Sequence, residues 1–183
     1  MRKVIFGINM SLDGCCDHTK LMPDVDAHEY FMDLMRDVDL LVFGRKTYEL
    51  MVPYWPDIAK NRSGTKTENE FAEVFDSKKL LVFSNSLKKT EGKTRIVSTK
   101  PQDEILKLKQ EQGKNILLGG VDVPSQLMKL GLVDEYHFVL QPIIAGEGRR
   151  LLEGVRLPER LRLKLVESKV FKSGCIALRY SKQ

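Results

Sequence analysis

Two short segments combine glycine, charge and a hydroxyl in a way that suits an anion: Gly44-Arg45-Lys46-Thr47 and Gly119-Gly120-Val121-Asp122-Val123. Each follows a short apolar run, Leu40-Leu41-Val42-Phe43 or Ile116-Leu117-Leu118, and each opens a helical pattern. Glycine lets a backbone come close to a ligand, and a helix start presents unbonded N–H groups with positive partial charge. Arg45 and Lys46 add full charges and Thr47 a hydroxyl, so a nucleotide pyrophosphate bridging the two helix starts fits this chemistry. Ser84 and Asn85 follow a third run, Leu80-Leu81-Val82-Phe83, and offer donors to a further phosphate. Asn9 and the segment Ser11-Leu12-Asp13-Gly14 follow the first run, and Asp13 is the acid expected near any reacting atoms. Each junction taken alone also arises wherever a strand turns into a helix, and Thr47 has the residue type of a plain cap. The expectation rests on two such junctions meeting at one sheet edge.

Other chemistries find little support. Gly146-Glu147-Gly148 resembles the start of a dinucleotide fingerprint, but Leu151 stands where the third glycine belongs and no βαβ unit follows. His18, His28 and His137 lack metal-ligand spacing, and neither a nucleophile elbow nor a Walker A loop occurs. The basic pairs Lys88-Lys89 and Arg149-Arg150 are too scattered for a nucleic-acid face.

The elements that must position these residues read as an alternation of strands and helices. Continuously apolar strands are expected at 4–8, 40–43, 80–83 and 115–118, a composition that suits burial on both faces. A shorter strand is expected at 94–97 and another at 135–141. Helices are expected at 24–36, 47–52, 101–112 and 122–130, with Pro23 and Asp24 as start signals for the first. The stretch 57–70 reads as a polar surface excursion, followed by a short helix near 70–75. From 160 onward the pattern changes to strict alternation, a hairpin turning at Ser173-Gly174. The architecture that follows is α/β: a mostly parallel mixed sheet with helices on both faces and a C-terminal antiparallel hairpin. In such sheets ligands sit at the carboxyl ends of the strands, so the four strand-end segments should converge there.

The 183 residues read as one domain, 1–183, of ordinary globular composition, with 42% hydrophobic and 30% charged residues. Thirty Lys and Arg against 25 Asp and Glu leave a net charge of +5, which permits an anionic partner without demanding one. Three cysteines are too few for a disulfide framework and suggest reduced thiols in the cytoplasm. No apolar run approaches the ~20 residues of a membrane helix.

Taken in order, these motifs resemble the dihydrofolate reductase-like superfamily, and within it the branch related to the reductase domain of riboflavin biosynthesis. Gly44-Arg45-Lys46-Thr47-Tyr48 and Gly119-Gly120 carry the wider likeness. Ser11-Leu12-Asp13-Gly14, Leu132-Val133-Asp134-Glu135 and the run from Gln141 to Gly148 carry the narrower one. Tyr54-Trp55-Pro56 is typical of small stand-alone bacterial members. The resemblance implies an NADPH-dependent reductase of a small heterocyclic substrate, or alternatively a non-catalytic NADP-binding sensor. It implies that Gly44, Arg45, Lys46 and Thr47 hold phosphates and that Gly119, Gly120, Val121, Asp122 and Val123 hold the pyrophosphate and nicotinamide side. Ser84 and Asn85 then fall at the adenosine 2′-phosphate, and Asn9 with Asp13 beside the nicotinamide as catalytic candidates. Asp26 lies where folate reductases carry a buried acid, and with Phe31, Tyr48, Tyr54 and Trp55 it is expected to line the substrate site. Relatives pair through their late strands, so a homodimer is expected, with neither nucleic acid nor membrane as partner.

Overall fold

A computed structural model describes every residue except Pro23 and Glu91; the proline half of the first helix-start signal therefore lies outside the described residues. The order of elements is β1 (Val4–Ser11), α1 (Val25–Arg36), β2 (Val38–Gly44), α2 (Arg45–Met51), α3 (Trp55–Asn61), α4 (Lys66–Asp76) and β3 (Lys79–Phe83). It continues with β4 (Thr94–Val97), α5 (Pro101–Gln110), β5 (Asn115–Leu118), α6 (Asp122–Lys129), β6 (Glu135–Gln141), β7 (Leu163–Val170) and β8 (Ile176–Lys182). The strands form an 8-stranded sheet in the order β4-β3-β2-β5-β1-β6-β8-β7. Neighbours from β4 to β6 are parallel, and β6-β8 and β8-β7 are antiparallel.

The apolar runs of β1, β2, β3 and β5 are buried on both faces, because alternate side chains enter two separate cores. Val4, Phe6, Leu40, Val42, Leu81, Ile116 and Leu118 pack with Ile105, Leu108, Val123 and Leu127 of α5 and α6. Ile5, Leu41, Phe43, Leu80, Val82 and Leu117 pack with α1 to α4 through Met32, Tyr48, Trp55, Phe71 and Phe75. Fully buried side chains such as Leu81 and Leu118 contribute ~1.5–3 kcal/mol each. That double layer fixes the strand order and sets the carboxyl ends of β1, β2, β3, β4 and β5 side by side.

Three local readings need correction. The segment 57–70 is not a loop: α3 and α4 occupy most of it. Trp55, Ile58 and Ala59 have helical spacing and face the core, and Thr65 with Glu68 forms a complete capping box for α4. α2 begins at Arg45 rather than Thr47, with Gly44 as its N-cap. Thr47 therefore lies inside the helix and caps nothing. Asp24 does cap α1, its carboxylate accepting from Ala27 N at 2.7 Å.

A buried polar cluster ties β6 to α1 and β8. Arg179 donates to Glu135 through Nε at 2.9 Å and Nη2 at 3.3 Å. Glu135 Oε1 lies 2.8 Å from His137 Nε2, and His137 Nδ1 lies 2.7 Å from the Tyr30 hydroxyl. An ionised Glu135 assigns the proton to Nε2, which leaves Nδ1 to accept from Tyr30. Burial pushes Glu135 up, but the bonds from His137 and Arg179 outweigh it and leave the carboxyl below its ordinary value. Burial lowers His137 and raises Tyr30 to about 12.

Candidate functional site

Three of the four strand-end segments meet in one cleft of about 510 Å³. Its walls are Gly44, Arg45, Lys46 and Thr47 from the β2–α2 junction, Ser84, Asn85 and Ser86 after β3, and Gly119, Val121, Asp122 and Val123 from the β5–α6 junction. Sheet order explains the meeting, since β3, β2 and β5 are consecutive strands and all three run parallel.

Glycine is required where the two helix starts touch. Gly120 has φ +80°, and a Cβ there would run into the Thr47 hydroxyl. A Cβ on Gly119 would come 2.6 Å from Phe43 Cε1. The pair of glycines thus allows β2–α2 and β5–α6 to approach closely enough to share one cleft. The place of Thr47 is set by this contact, which no local sequence signal reveals.

The charges are unevenly free. Arg45 is held by Glu49 through two bonds of 2.9 and 3.0 Å along α2. Asp122 pairs with Arg149, whose Nη2 lies 2.5 Å away. Lys46 has no such partner among the described residues and lines the cleft. The sequence reading missed one wall: Ser98, Thr99, Lys100 and Pro101, between β4 and α5. The same strand-end rule applies to it, because β4 is the parallel neighbour of β3. The strand was recognised, but its carboxyl end was not followed.

The fourth segment lies beside this cleft rather than in its wall. Asn9 pairs with Val139 across β1 and β6, and its Oδ1 is buried with no hydrogen-bond partner among the described residues. Beyond it, Asp13 acts as a clamp. Its carboxylate accepts from Ser11 Oγ at 2.5 Å, Ala145 N and Gly146 N at 3.0 Å and Arg150 Nη2 at 3.2 Å. Arg150 also donates to the Asp13 carbonyl. The bond from Ser11, followed by those from the backbone, holds the carboxyl far below the ordinary aspartate range. A carboxylate this stabilised in its ionised form is a poor proton donor, so the geometry does not support Asp13 as the acid of a reaction.

The segment Gly146-Glu147-Gly148 packs on this loop. Gly148 has φ +106°, and a Cβ there would meet Cys15 Sγ at 2.7 Å. Cys16 N donates to Arg149 O at 2.7 Å, and Cys15 bridges to Arg150. Burial pushes the Cys16 thiol up to about 11, which favours the protonated thiol over the thiolate.

The expected substrate wall is only partly assembled. Trp55 and Tyr48 are buried in the core under α1 to α4. The Trp55 ring centroid lies 4.4 Å from that of Phe71 in a tilted contact and 4.9 Å from that of Tyr54 edge-to-face. Burying large aromatic surface there stabilises the α3–α4 layer and removes both rings from any cleft. Tyr54 is exposed. Phe31 is half-buried, its ring 3.0 Å from where a Gly7 Cβ would be. Asp26, in the first turn of α1, accepts from Ser173 N at 3.3 Å. Among the described residues no three or more His, Cys, Asp or Glu gather to hold a metal. No helix among them is long and apolar enough to cross a membrane.

Comparison with known proteins agrees with this geometry. The sequence model described as the RibD C-terminal domain matches residues 2–177. The protein YyaP of Bacillus subtilis (strain 168) is 31% identical over 183 residues, covering 98% of this chain and 94% of that protein. Among solved structures, a protein of Shewanella sp. PV-4 named for riboflavin biosynthesis superposes with a TM-score of 0.74 at 23% identity, over 100% of this chain and 99% of that one. The diaminohydroxyphosphoribosylaminopyrimidine deaminase/5-amino-6-(5-phosphoribosylamino)uracil reductase of Thermotoga maritima superposes with a TM-score of 0.70 at 16% identity, and the chain spans 57% of its length. A two-core parallel sheet, a cleft built at its carboxyl edge and a family match over nearly every residue lead to one statement: the chain belongs to the RibD C-terminal domain family.

Proposed function

We propose that the chain acts as a single domain, 1–183, and is an NADPH-dependent reductase of a small heterocyclic substrate of the pyrimidine or pterin kind. One observation carries the reading: Gly44–Thr47, Ser84–Ser86, Gly119 and Val121–Val123 line one cleft at the carboxyl edge of parallel strands. The residues fit a dinucleotide. Gly119 and Gly120 keep the two helix starts close, since a Cβ at either would meet Phe43 or Thr47, the first turn of α6 offers backbone donors, and Lys46 and Lys100 supply positive charge. In the proposal Lys46, Thr47 and Val121 to Val123 hold the pyrophosphate. Ser84 and Asn85, with Ser86 and Thr99 beside them, receive the 2′-phosphate. When bound, the cofactor supplies a hydride; the protein's part is orientation and electrostatics. Asn9, with a buried carbonyl oxygen left unpaired, is placed to accept from an amide at the nicotinamide end. Asp13 holds the Leu12–Gly14 turn against Ala145 and Gly146, which limits water at that end.

The clamp role of Asp13 favours a second reading, binding without turnover, because it occupies the one acid expected near the reacting atoms. Titration with NADPH, followed by NADPH oxidation against pyrimidines, pterins and quinones, separates the two. Oxidation with a heterocycle supports the reductase, binding with none supports a sensor, and failure to bind NADPH overturns both. In the same reading the protein is cytoplasmic, with Cys15, Cys16 and Cys175 free thiols, and forms a homodimer. The edge strand β7 favours that pairing: Leu165, Val166 and Val170 are exposed on it, and its outer backbone edge pairs with no strand.

A further inference from the structure

We propose that Arg149 is a phosphate ligand of this cleft, held on Asp122 until a polyanion arrives; the inference rests on the dinucleotide reading above. Asp122 is the first residue of α6 and lines the cleft. A carboxylate there suits the helix dipole but repels a phosphate seeking the same N–H groups. The structure meets this with a guanidinium brought from far away in sequence. Arg149 Nη2 lies 2.5 Å from Asp122 Oδ1, one hydrogen bond behind the cleft wall.

The backbone of Arg149 is fixed while its side chain is not. Cys16 N holds its carbonyl at 2.7 Å, Cys15 bridges to Arg150, and Asp13 binds the amides of Ala145 and Gly146. The side chain retains 39% exposure. Its Nε is buried without a hydrogen bond and only 3.4 Å from Glu153 Oε2. Most of a five-donor fork is therefore unspent. A phosphate dianion accepts such a fork bidentately and carries more charge than the carboxylate it would replace. The arginine that lines the cleft, Arg45, is already occupied by Glu49 on both oxygens, and Lys46 and Lys100 are point charges. Arg149 thus adds a second planar fork, hydrogen-bonded to Asp122 and flanked by Glu153. This also accounts for the Gly146-Glu147-Gly148 motif: its positive-φ glycines turn the chain back over Cys15 and deliver Arg149 to α6.

The test is calorimetric titration of the full chain with NADPH and with ADP-ribose, for wild type, Arg149→Ala, Arg149→Lys, Asp122→Asn and the Arg149→Ala/Asp122→Asn double variant. Arg149→Ala is expected to weaken both ligands roughly 10- to 100-fold, the loss of a hydrogen-bonded charge. Arg149→Lys should fall between it and wild type, and Asp122→Asn, which removes the repelling carboxylate and releases the guanidinium, should bind more tightly than wild type. The double variant should stay weak. Melting temperature reports folding for each protein, and Arg149→Lys carries the test if the alanine variant does not fold. An Arg149→Ala protein within twofold of wild type overturns the inference, as does recovery of wild-type affinity in the double variant, which would make Arg149 a mere counter-charge. Unchanged or weaker binding by Asp122→Asn also overturns it. Wild type that binds neither ligand overturns the dinucleotide reading itself.

Discussion

Replacement of Gly120 by alanine isolates the contact that joins the two helix starts. Two costs are built into the position. The backbone holds φ +80°, a conformation that costs a residue with a side chain about 1–3 kcal/mol. The added methyl would collide with the Thr47 hydroxyl and lie 3.3 Å from Thr47 Cβ, and overpacking of this kind costs about 1–3 kcal/mol. Gly120→Ala should therefore destabilise by roughly 2–6 kcal/mol in urea unfolding and weaken NADPH binding as α2 and α6 move apart. The second substitution separates the terms. Thr47→Ala removes the hydroxyl and leaves only the 3.3 Å contact at Cβ, so Gly120→Ala/Thr47→Ala should retain the backbone cost alone. A coupling energy of roughly 1–3 kcal/mol between the sites is expected from the double-mutant cycle. Additive effects, or a Gly120→Ala protein within 0.5 kcal/mol of wild type (the range of an ordinary surface change), would refute the argument that this contact sets the cleft.

Three further outcomes are expected. Asp13→Ala should free the amides of Ala145 and Gly146 and speed hydrogen exchange across 12–16 and 143–150, with β6 unchanged; unchanged exchange in both loops would show that Asp13 holds nothing. Burial lowers His28 and His137 below the ordinary 6.5, so the unfolded chain takes up protons first as pH falls. Stability should be full above about pH 6.5 and decline as pH drops toward the lowered folded values, with Glu135 extending the loss below its ordinary 4.5. His28→Gln/His137→Gln should flatten the first part of that curve; wild-type stability that rises on acidification would contradict the sign. If the proposed dimer pairs through β7, wild type should sediment as a dimer and Val166→Lys/Val170→Lys as a monomer; a wild type that sediments as a monomer would overturn that pairing.

Much of the fold was legible in the residues, and for identifiable reasons. The runs Leu40–Phe43, Leu80–Phe83 and Ile116–Leu118 are too short and too uniformly apolar for amphipathic helices, and a strand covered on both faces is what accommodates them. The switch to alternation after 160 marked the half-exposed hairpin. The segment 57–70 was misread because its polar content hid two amphipathic helices, although the Thr65–Glu68 box was available as a signal. The aromatic residues failed differently. Tyr48, Trp55 and Tyr54 have the same chemical type, and nothing local distinguishes the ring that enters the α3–α4 core from the ring left in water.

The strand-end rule brought Gly44–Thr47, Ser84–Asn85 and Gly119–Val123 forward from sequence alone, because residue type and element order are both local properties. The partners of those residues are not local. That Gly120 must face Thr47, that Arg149 crosses 27 positions to reach Asp122, and that Asp13 binds Ala145, 132 positions away, depend on which strands lie side by side. Strand order is decided by the burial of two cores against one sheet. Hence the chain's own order of residues determined what chemistry could be offered at the sheet edge. The tertiary structure alone decided which charges are free to offer it, because pairing depends on distance in space and distance in space is set by packing.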